Sequence, residues 1–207
     1  MKTIEHWIDG EYYTGNPTGR FGVEDPATGE IQAELLQASD ADLDHAVEVA
    51  TRAQREWAKA PLSKRVDVMF KMRQLVLDHQ DEMAKLIVAE HGKNYSDAVG
   101  EIQRGRETLD FACGINAALK GEYSFDIATG VDIHTIRQPV GVVAGICPFN
   151  IPIMVPMWMH PVALATGNAF ILKPSSPTPT ASLLIADLYK QAGLPDGLFN
   201  VLSGTRH

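Results

Sequence analysis

Cysteine is scarce in this sequence, and its scarcity excludes one class of protein. Only two cysteines, Cys113 and Cys147, occur in 207 residues. Small secreted domains that depend on disulfides need several pairs, so a disulfide framework is excluded. The N-terminus carries Glu5, His6 and Asp9 where a signal peptide would have an apolar core. These observations favour a soluble, cytoplasmic protein.

Long apolar segments and clusters of basic residues are also missing. The longest apolar run, residues 151–164, is interrupted by three prolines and a histidine. It is shorter than the roughly 20 residues that cross a bilayer. The net charge is −8, and no basic stripe appears, whereas binding to nucleic-acid phosphates needs clustered Lys and Arg. We therefore expect neither a membrane nor a nucleic acid as partner.

Metal-binding and nucleotide-binding fingerprints are absent as well. The seven histidines form no HxxxH or HxH pair, and no CxxC occurs, so no metal site is predicted. The sequence also contains neither the GxGxxG of common dinucleotide-binding folds nor a P-loop. Motif patterns alone therefore name no ligand.

The N-terminal part predicts short strands followed by helices. "HWIDGEYYTG" alternates around Asp9-Gly10, a favoured hairpin turn. Ser39 and Asp42 then form a capping box that opens a helix, which Ala60-Pro61 ends. Two more helices follow between residues 63 and 92.

A further helix is predicted over roughly residues 96–119. It contains Gly100, Gly105 and Gly114, each of which costs about 1 kcal/mol relative to alanine inside a helix. Such glycines indicate either close packing against another element or positions where a residue of low helix propensity is tolerated.

The pattern changes after residue 139. Three apolar strands, "VGVVAGI", "NAFILK" and "LFNVLSG", alternate with helices at about 152–166 and 178–192. This β-α-β-α-β order is typical of half of a doubly wound parallel sheet, an α/β fold. "CPFN" and "KPSS" follow the first two strands, so both fall at the edge where such sheets bind ligands.

The octet "GICPFNIP", residues 145–152, offers two residues for chemistry. Cys147 could be a nucleophile, but no base lies near it in sequence, and apolar neighbours raise the pKa of a thiol. Asn150 could instead donate a hydrogen bond to a developing negative charge. A turn asparagine that bonds its own backbone is the alternative reading.

Residues 139–204 resemble the first half of the cofactor domain of the aldehyde dehydrogenases. "PFN", "GN-x-FILKPS" and "AGLPDGLFNVL" carry the resemblance, and "WIDGEYY", "DPATGE" and "AVEVATRAQREW" extend it over essentially the whole chain. The segment "IRQPVGVVAGICPFNIPIMVPMWMHPVALATGN" is most similar to the CoA-acylating methylmalonate-semialdehyde dehydrogenases.

The resemblance implies a fold and a division of the chain. We expect the N-terminal part of an aldehyde dehydrogenase fold, with helices and half of a Rossmann-like sheet. Residues 1–120 would form the N-terminal strands and the helical part of the cofactor-binding domain, 121–138 an oligomerisation arm, and 139–207 the first βαβαβ half of the NAD(P)-binding domain. The family's nucleophilic Cys and its Glu base lie beyond this chain, so we expect the chain to be inactive alone. We expect the complete enzyme to form a homodimer or a homotetramer.

The resemblance also implies the site residues. Asn150 would be the oxyanion donor, and Arg104 would bind a substrate carboxylate, although arginines on helix surfaces are common. NAD or NADP would be held by Ile146, Cys147, Pro148, Phe149, Lys173, Ser175, Ser176, Pro177 and Gly204. Ser176 stands where NAD-preferring members commonly have Glu, which would repel a 2′-phosphate, so we expect NADP to be tolerated or even preferred. A neutral difference at this position is the alternative.

The implied reaction is the oxidation of methylmalonate or malonate semialdehyde to propionyl-CoA or acetyl-CoA, with CoA as co-substrate. Two alternatives stay open. "LKPSSPTP" with Ser176 also suits a succinate-semialdehyde dehydrogenase. The chain could equally be a cofactor-binding or assembly module without turnover.

Overall fold

The computed structural model describes residues 1–205, which form three sheets and eight helices. The strands are β1 Lys2–Ile4, β2 His6–Ile8, β3 Glu11–Tyr13, β4 Gly19–Asp25, β5 Glu30–Gln37, β6 Tyr123–Ala128, β7 Val131–His134, β8 Val142–Ile146, β9 Ala169–Lys173 and β10 Phe199–Val201. The helices are α1 Asp40–Trp57, α2 Leu62–Asp78, α3 Gln80–His91, α4 Tyr95–Cys113, α5 Ile115–Ala118, α6 Met154–Met157, α7 His160–Ala165 and α8 Thr180–Gln191.

The central sheet has the order β3-β2-β10-β9-β8. Its strands β8, β9 and β10 are parallel, and β2 adds to β10 in the antiparallel direction. The first four residues of β9 are buried, as expected for a strand covered on both faces in a parallel sheet. The α/β fold class and the half of a doubly wound sheet are therefore confirmed.

The register between β8 and β9 aligns the ends of the two strands. Gly145 pairs with Leu172, and Ile146 pairs with Lys173. The backbone N–H of Cys147 then donates to the carbonyl of Lys173 at 3.1 Å, one step past the end of β8. The "CPFN" and "KPSS" segments therefore leave the sheet side by side, as the strand order predicts.

The predicted hairpin and capping box are both present. Asp9 and Gly10 have φ values of 55° and 81°, which suit a two-residue turn between β2 and β3. Ser39 Oγ accepts from the N–H of Asp42, and the Asp42 carboxylate accepts in return from the N–H of Ser39. Local turn and cap chemistry thus decided these two features.

Helix α4 is the centre of the helical layer and packs against α2, α3, α6 and α7. A methyl group added to Gly105 would lie 3.2 Å from Met157 Cβ and 3.3 Å from the Cα of Met154. Nothing lies within 4 Å of the corresponding position at Gly100. Close packing therefore explains Gly105 but not Gly100.

Helix α8 begins against a side chain from α3. The Glu90 carboxylate accepts a hydrogen bond from the N–H of Thr180 at 3.0 Å and a second from its hydroxyl. Burial raises the pKa of Glu90 to about 7, although both Thr180 bonds act in the opposite direction. The end of α3 thus holds the start of the helix that follows β9.

Two predicted helices are broken in the structure. The helix expected over 96–119 ends at Cys113, and α5 follows after Gly114. The helix expected over 152–166 consists of the short helices α6 and α7. Pro161 stands at the start of α7, because proline lacks an N–H and is tolerated only in a first helical turn.

Strands β6 and β7 form a separate two-stranded sheet, and all their residues are exposed. The hairpin lies within residues 121–138, the predicted oligomerisation arm. The domain boundaries at 120/121 and 138/139 stay predictions, and residues 206 and 207 of the last predicted segment lie outside the described residues.

Gly100 and Gly105 on α4 give a matched test of close packing. Gly105→Ala should lower the free energy of unfolding by about 1 kcal/mol or more, because the added methyl overpacks the contact with α6. Gly100→Ala should raise it by about 1 kcal/mol, because alanine favours helix and meets open space there. Urea unfolding followed by circular dichroism measures both. Equal effects of the two substitutions would contradict the packing argument.

Candidate functional site

A groove of about 260 Å³ lies where the parallel strands end. Three of its residues were predicted to bind a cofactor, namely Ile146, Lys173 and Gly204. The start of α1 forms another wall, through Ser39, Asp40 and Leu43. The sequence did not single out this wall, because residues 39–43 already had a complete structural explanation as a helix cap.

Lys173 is the cation of this groove and ends β9. It is partly buried, and burial lowers its pKa below the ordinary value while the neighbouring Cys147 sulfur opposes that change. A lysine at a strand end has three N–H donors, which suit ribose hydroxyls or a phosphate. The groove and its donor therefore fit the adenosine side of NAD or NADP.

Cys147 lies at the beginning of the turn, and its side chain is buried. Burial raises the pKa of this thiol to about 11, although Lys173 acts in the opposite direction. A thiol with that pKa is protonated at neutral pH and is a poor nucleophile. The rise that the apolar neighbours predicted is therefore present, and Cys147 is a small, buried residue of the turn.

The residues on either side of Cys147 are exposed. Ile146 is 79% exposed and Phe149 is 61% exposed, and Pro148 is exposed as well. Large apolar side chains in such positions offer a surface to a ligand or to another part of a protein. Cys147, Pro148 and Phe149 border the groove in sequence but do not line it.

Asn150 is exposed, and its side-chain amide makes no hydrogen bond to any described residue. Its backbone carbonyl, in contrast, accepts a hydrogen bond from Lys93 Nζ at 3.0 Å. The alternative in which the side chain bonds its own turn is therefore not found. The backbone of Asn150 is held, and its amide is left available to donate outward.

Arg104 lines a second cavity, of about 250 Å³, between α4 and the segment after the turn. The walls include Lys93, Glu101, Ile151 and Met154. Arg104 is exposed and forms no ion pair with a described residue, whereas Lys93 is paired with Glu101. The guanidinium is thus the unpaired cation of a cavity that begins one residue after Asn150.

The remaining predicted residues lie beyond Lys173. Ser175 and Ser176 are partly exposed and Pro177 is exposed, in a turn closed by a 3.2 Å hydrogen bond from Thr178 N to Ser175 O. None of them lines the groove. The structure therefore places them next to the groove along the chain, and their contact with a cofactor stays a prediction.

Two charged residues at this site were missed from the sequence. Glu101 is buried on α4 and bonds both Lys93 and the start of α6. One signal could have found it, since Glu101 falls on the same helical stripe as the buried residues Ala98, Ile102 and Leu109. A carboxylate in an apolar stripe needs a buried partner. Nothing in the sequence identifies Lys93 as that partner.

Other parts of the structure add no second candidate. A cavity of about 510 Å³ between β1, α3 and α8 contains none of the predicted site residues. Within residues 1–205, no group of three or more His, Cys, Asp or Glu side chains could hold a metal ion. In the same range, no helix has both the length and the apolar character that a bilayer crossing requires.

Comparison with known proteins gives a consistent result. The chain is 44% identical over 204 residues to malonate-semialdehyde dehydrogenase 2 of Oceanobacillus iheyensis. The aligned region covers 99% of this chain and 42% of the relative. The crystal structure of methylmalonate-semialdehyde dehydrogenase from Oceanimonas doudoroffii matches with a TM-score of 0.97 and 46% identity. That match covers 100% of this chain and 42% of the solved one.

A second solved structure is equally similar. It is a Sinorhizobium meliloti protein assigned to the methylmalonate-semialdehyde dehydrogenases and complexed with NAD, with a TM-score of 0.97 and 45% identity. It too is matched over 100% of this chain and 42% of its own. The chain thus spans about two fifths of the length of these relatives. The sequence model of the aldehyde dehydrogenase family matches residues 12–207, and the chain therefore belongs to the aldehyde dehydrogenase family.

Proposed function

We propose that this chain is part of an aldehyde dehydrogenase that oxidises methylmalonate or malonate semialdehyde with NAD or NADP and passes the acyl group to CoA. The observation that carries the proposal is Arg104, which has no ion-pair partner among residues 1–205 and lines a cavity together with Ile151, the residue after Asn150. Both substrates carry a carboxylate next to the aldehyde-bearing carbon, and a guanidinium binds a carboxylate through two parallel hydrogen bonds. Similarity to malonate- and methylmalonate-semialdehyde dehydrogenases supports the assignment.

Two residues of this chain act on the substrate. Arg104 binds the carboxylate and orients the aldehyde. Asn150 donates its side-chain N–H to the aldehyde oxygen as negative charge develops there, an interaction worth roughly 2.7–4 kcal/mol in acyl transfer. Semialdehyde, oxidised cofactor and CoA give acyl-CoA, CO2 and reduced cofactor, so the substrate carboxylate leaves as CO2.

The edge of the sheet holds the cofactor. Lys173 donates to the ribose hydroxyls, while Ile146 and Gly204 form the walls of the groove. A bound nicotinamide ring supplies the hydride acceptor. Ser176 carries no negative charge, so a 2′-phosphate is admitted where Glu would repel it.

The nucleophilic thiolate of the reaction is neither cysteine of this chain. Burial raises the pKa of Cys147 to about 11, and burial together with Asp110 also raises the pKa of Cys113. Both thiols are therefore protonated at neutral pH. The proposal assigns the attack to a cysteine outside these 207 residues.

The exposed hairpin serves assembly in this proposal. Its apolar side chains include Tyr123, Phe125 and Ile127 on β6 and Val131 and Ile133 on β7, and Phe125 is 76% exposed. An isolated two-stranded hairpin is marginally stable in water, and an apolar surface of this kind indicates an interaction site. A homo-oligomer is the partner that the proposal assigns to it.

A direct assay tests the function and the role of Arg104 together. The product of the complete reading frame that contains this chain should form NADH or NADPH with methylmalonate or malonate semialdehyde in the presence of CoA, measured at 340 nm. Arg104→Ala should lower kcat/KM for these substrates by about 10-fold to 100-fold, because a charged hydrogen bond is worth about 1.5–3 kcal/mol. Propanal, which lacks the carboxylate, should be affected less than about twofold.

Arg55→Ala is the matched control, since Arg55 is exposed in the last turn of α1 and lines neither cavity. Preference for succinate semialdehyde without acyl-CoA formation would favour the alternative dehydrogenase. Turnover by the 207-residue chain alone would contradict the assignment of the nucleophile. Equal losses with propanal and semialdehyde would contradict the role of Arg104.

Cofactor choice gives a second test, at Ser176. Ser176→Glu should weaken NADPH binding by about tenfold or more, because an added carboxylate repels the 2′-phosphate. NADH binding should be unchanged or tighter. Fluorescence titration of both cofactors measures the two dissociation constants, with Ser63→Glu, at an exposed position of α2, as the control for added charge. A wild-type enzyme that binds NADH and shows no NADPH binding at high concentration would overturn the proposal.

The thiol of Cys147 gives a third test. Because its pKa is about 11, its thiolate is scarce at pH 7–8 and becomes abundant only as the pH approaches 11. Alkylation by iodoacetamide, followed by peptide mass spectrometry, should therefore be at least about tenfold slower than that of glutathione at pH 8. The rate should still be rising at pH 10. Rapid labelling of Cys147 at pH 7 would show an activated thiol and contradict its assignment as a buried, unreactive residue of the turn.

A further inference from the structure

Lys93 and Glu101 form a buried ion pair that touches the Asn150 turn at two points. Lys93 Nζ lies 2.5 Å from Glu101 Oε2 and donates to the Asn150 carbonyl at 3.0 Å. The other carboxylate oxygen, Glu101 Oε1, accepts from the N–H groups of Ile153 and Met154 at 2.7 Å and 3.2 Å. One ion pair therefore holds the carbonyl of Asn150 and the amides of Ile153 and Met154, on either side of residues 151–152.

The pair is shielded from water. The side chain of Lys93 is 14% exposed and that of Glu101 is 4% exposed. Removing two charges from water is costly, and their mutual attraction alone often fails to offset that cost. Here the carboxylate accepts hydrogen bonds from Lys93 and from two backbone amides. These bonds stabilise the buried pair and fix the position of the turn relative to α4.

The turn has a third anchor at its other end, the bond from Cys147 N to the Lys173 carbonyl. The backbone is thus held on both sides of Asn150 and at Asn150 itself. Oxyanion stabilisation depends on a donor that is placed before the charge appears. A donor on a mobile turn would lose much of that advantage, since a shift of about 1 Å can cost a factor of about 100 in rate.

We propose that Lys93 and Glu101 are positioning residues for Asn150, which fix the turn so that its side-chain N–H points at the substrate oxygen. The inference rests on the proposed function of Asn150. Lys93 and Glu101 line the same cavity as Arg104, but they are paired with each other, so in this assignment neither binds the substrate. Both act through the backbone of residues 150–154.

Amide hydrogen exchange in the 207-residue chain tests the positioning directly. Lys93→Met and Glu101→Gln should each speed exchange at Ile153 and Met154 by about tenfold or more, because exchange reports local opening. Lys93→Arg should restore most of the protection, since a guanidinium also donates to both the carboxylate and the carbonyl. Lys59→Met, in the exposed Lys59–Glu56 pair of the same charge types, is the control and should leave the turn unchanged.

Kinetics separates positioning from a general structural role. In the aldehyde-oxidising enzyme, Lys93→Met should lower kcat by about tenfold while KM for NAD or NADP changes less than about twofold, and Lys93→Arg should recover most of kcat. Unchanged exchange at Ile153 and Met154 in both Lys93→Met and Glu101→Gln would overturn the inference. So would fast exchange in both variants with wild-type kcat. An enzyme that oxidises no aldehyde would refute the proposed function, whereas the exchange rates would still decide whether the pair fixes the turn.

Discussion

The parallel register of β8 and β9 is the constraint on which the candidate site depends. It sets Ile146 opposite Lys173 and lets the amide of Cys147 continue the ladder for one more bond. A slip of one residue would turn every side chain of β8 to the other face and would separate the two segments that leave the sheet there. The burial of β9 on both faces makes such a slip costly.

The site combines a sheet and a helical layer that are distant in sequence. The sheet supplies Lys173 and the groove, whereas α4 supplies Arg104 and Glu101. The turn after β8 joins them, because its first amide belongs to the sheet and its last amides bond to α4. Close approach of α4 and α6 at Gly105 brings the two parts within hydrogen-bonding distance.

Features decided by local chemistry were predictable from the sequence. The Asp9-Gly10 hairpin and the Ser39 capping box each need particular residues at particular positions. Features decided by tertiary contacts were not. Three such features depend on what each residue contacts in the folded protein. They are the division of the helix expected over 152–166 into α6 and α7, the different surroundings of Gly100 and Gly105, and the pairing of Glu101 with Lys93. Motif and resemblance named the site residues, but only the fold shows which of them share a cavity.

The end of α3 imposes a limit on how the length of this chain can vary. Glu90 holds the start of α8, and Lys93, three residues later, holds the carbonyl of Asn150. The link between α3 and α4 is only residues 92–94, a short connection of a kind that usually accepts insertions between homologues. One inserted residue here would move Lys93 relative either to Glu90 on α3 or to Glu101 on α4, so that one of these attachments would be lost. Insertions and deletions among natural relatives should therefore avoid this link. They should concentrate in connections whose residues do not hold two other parts of the fold.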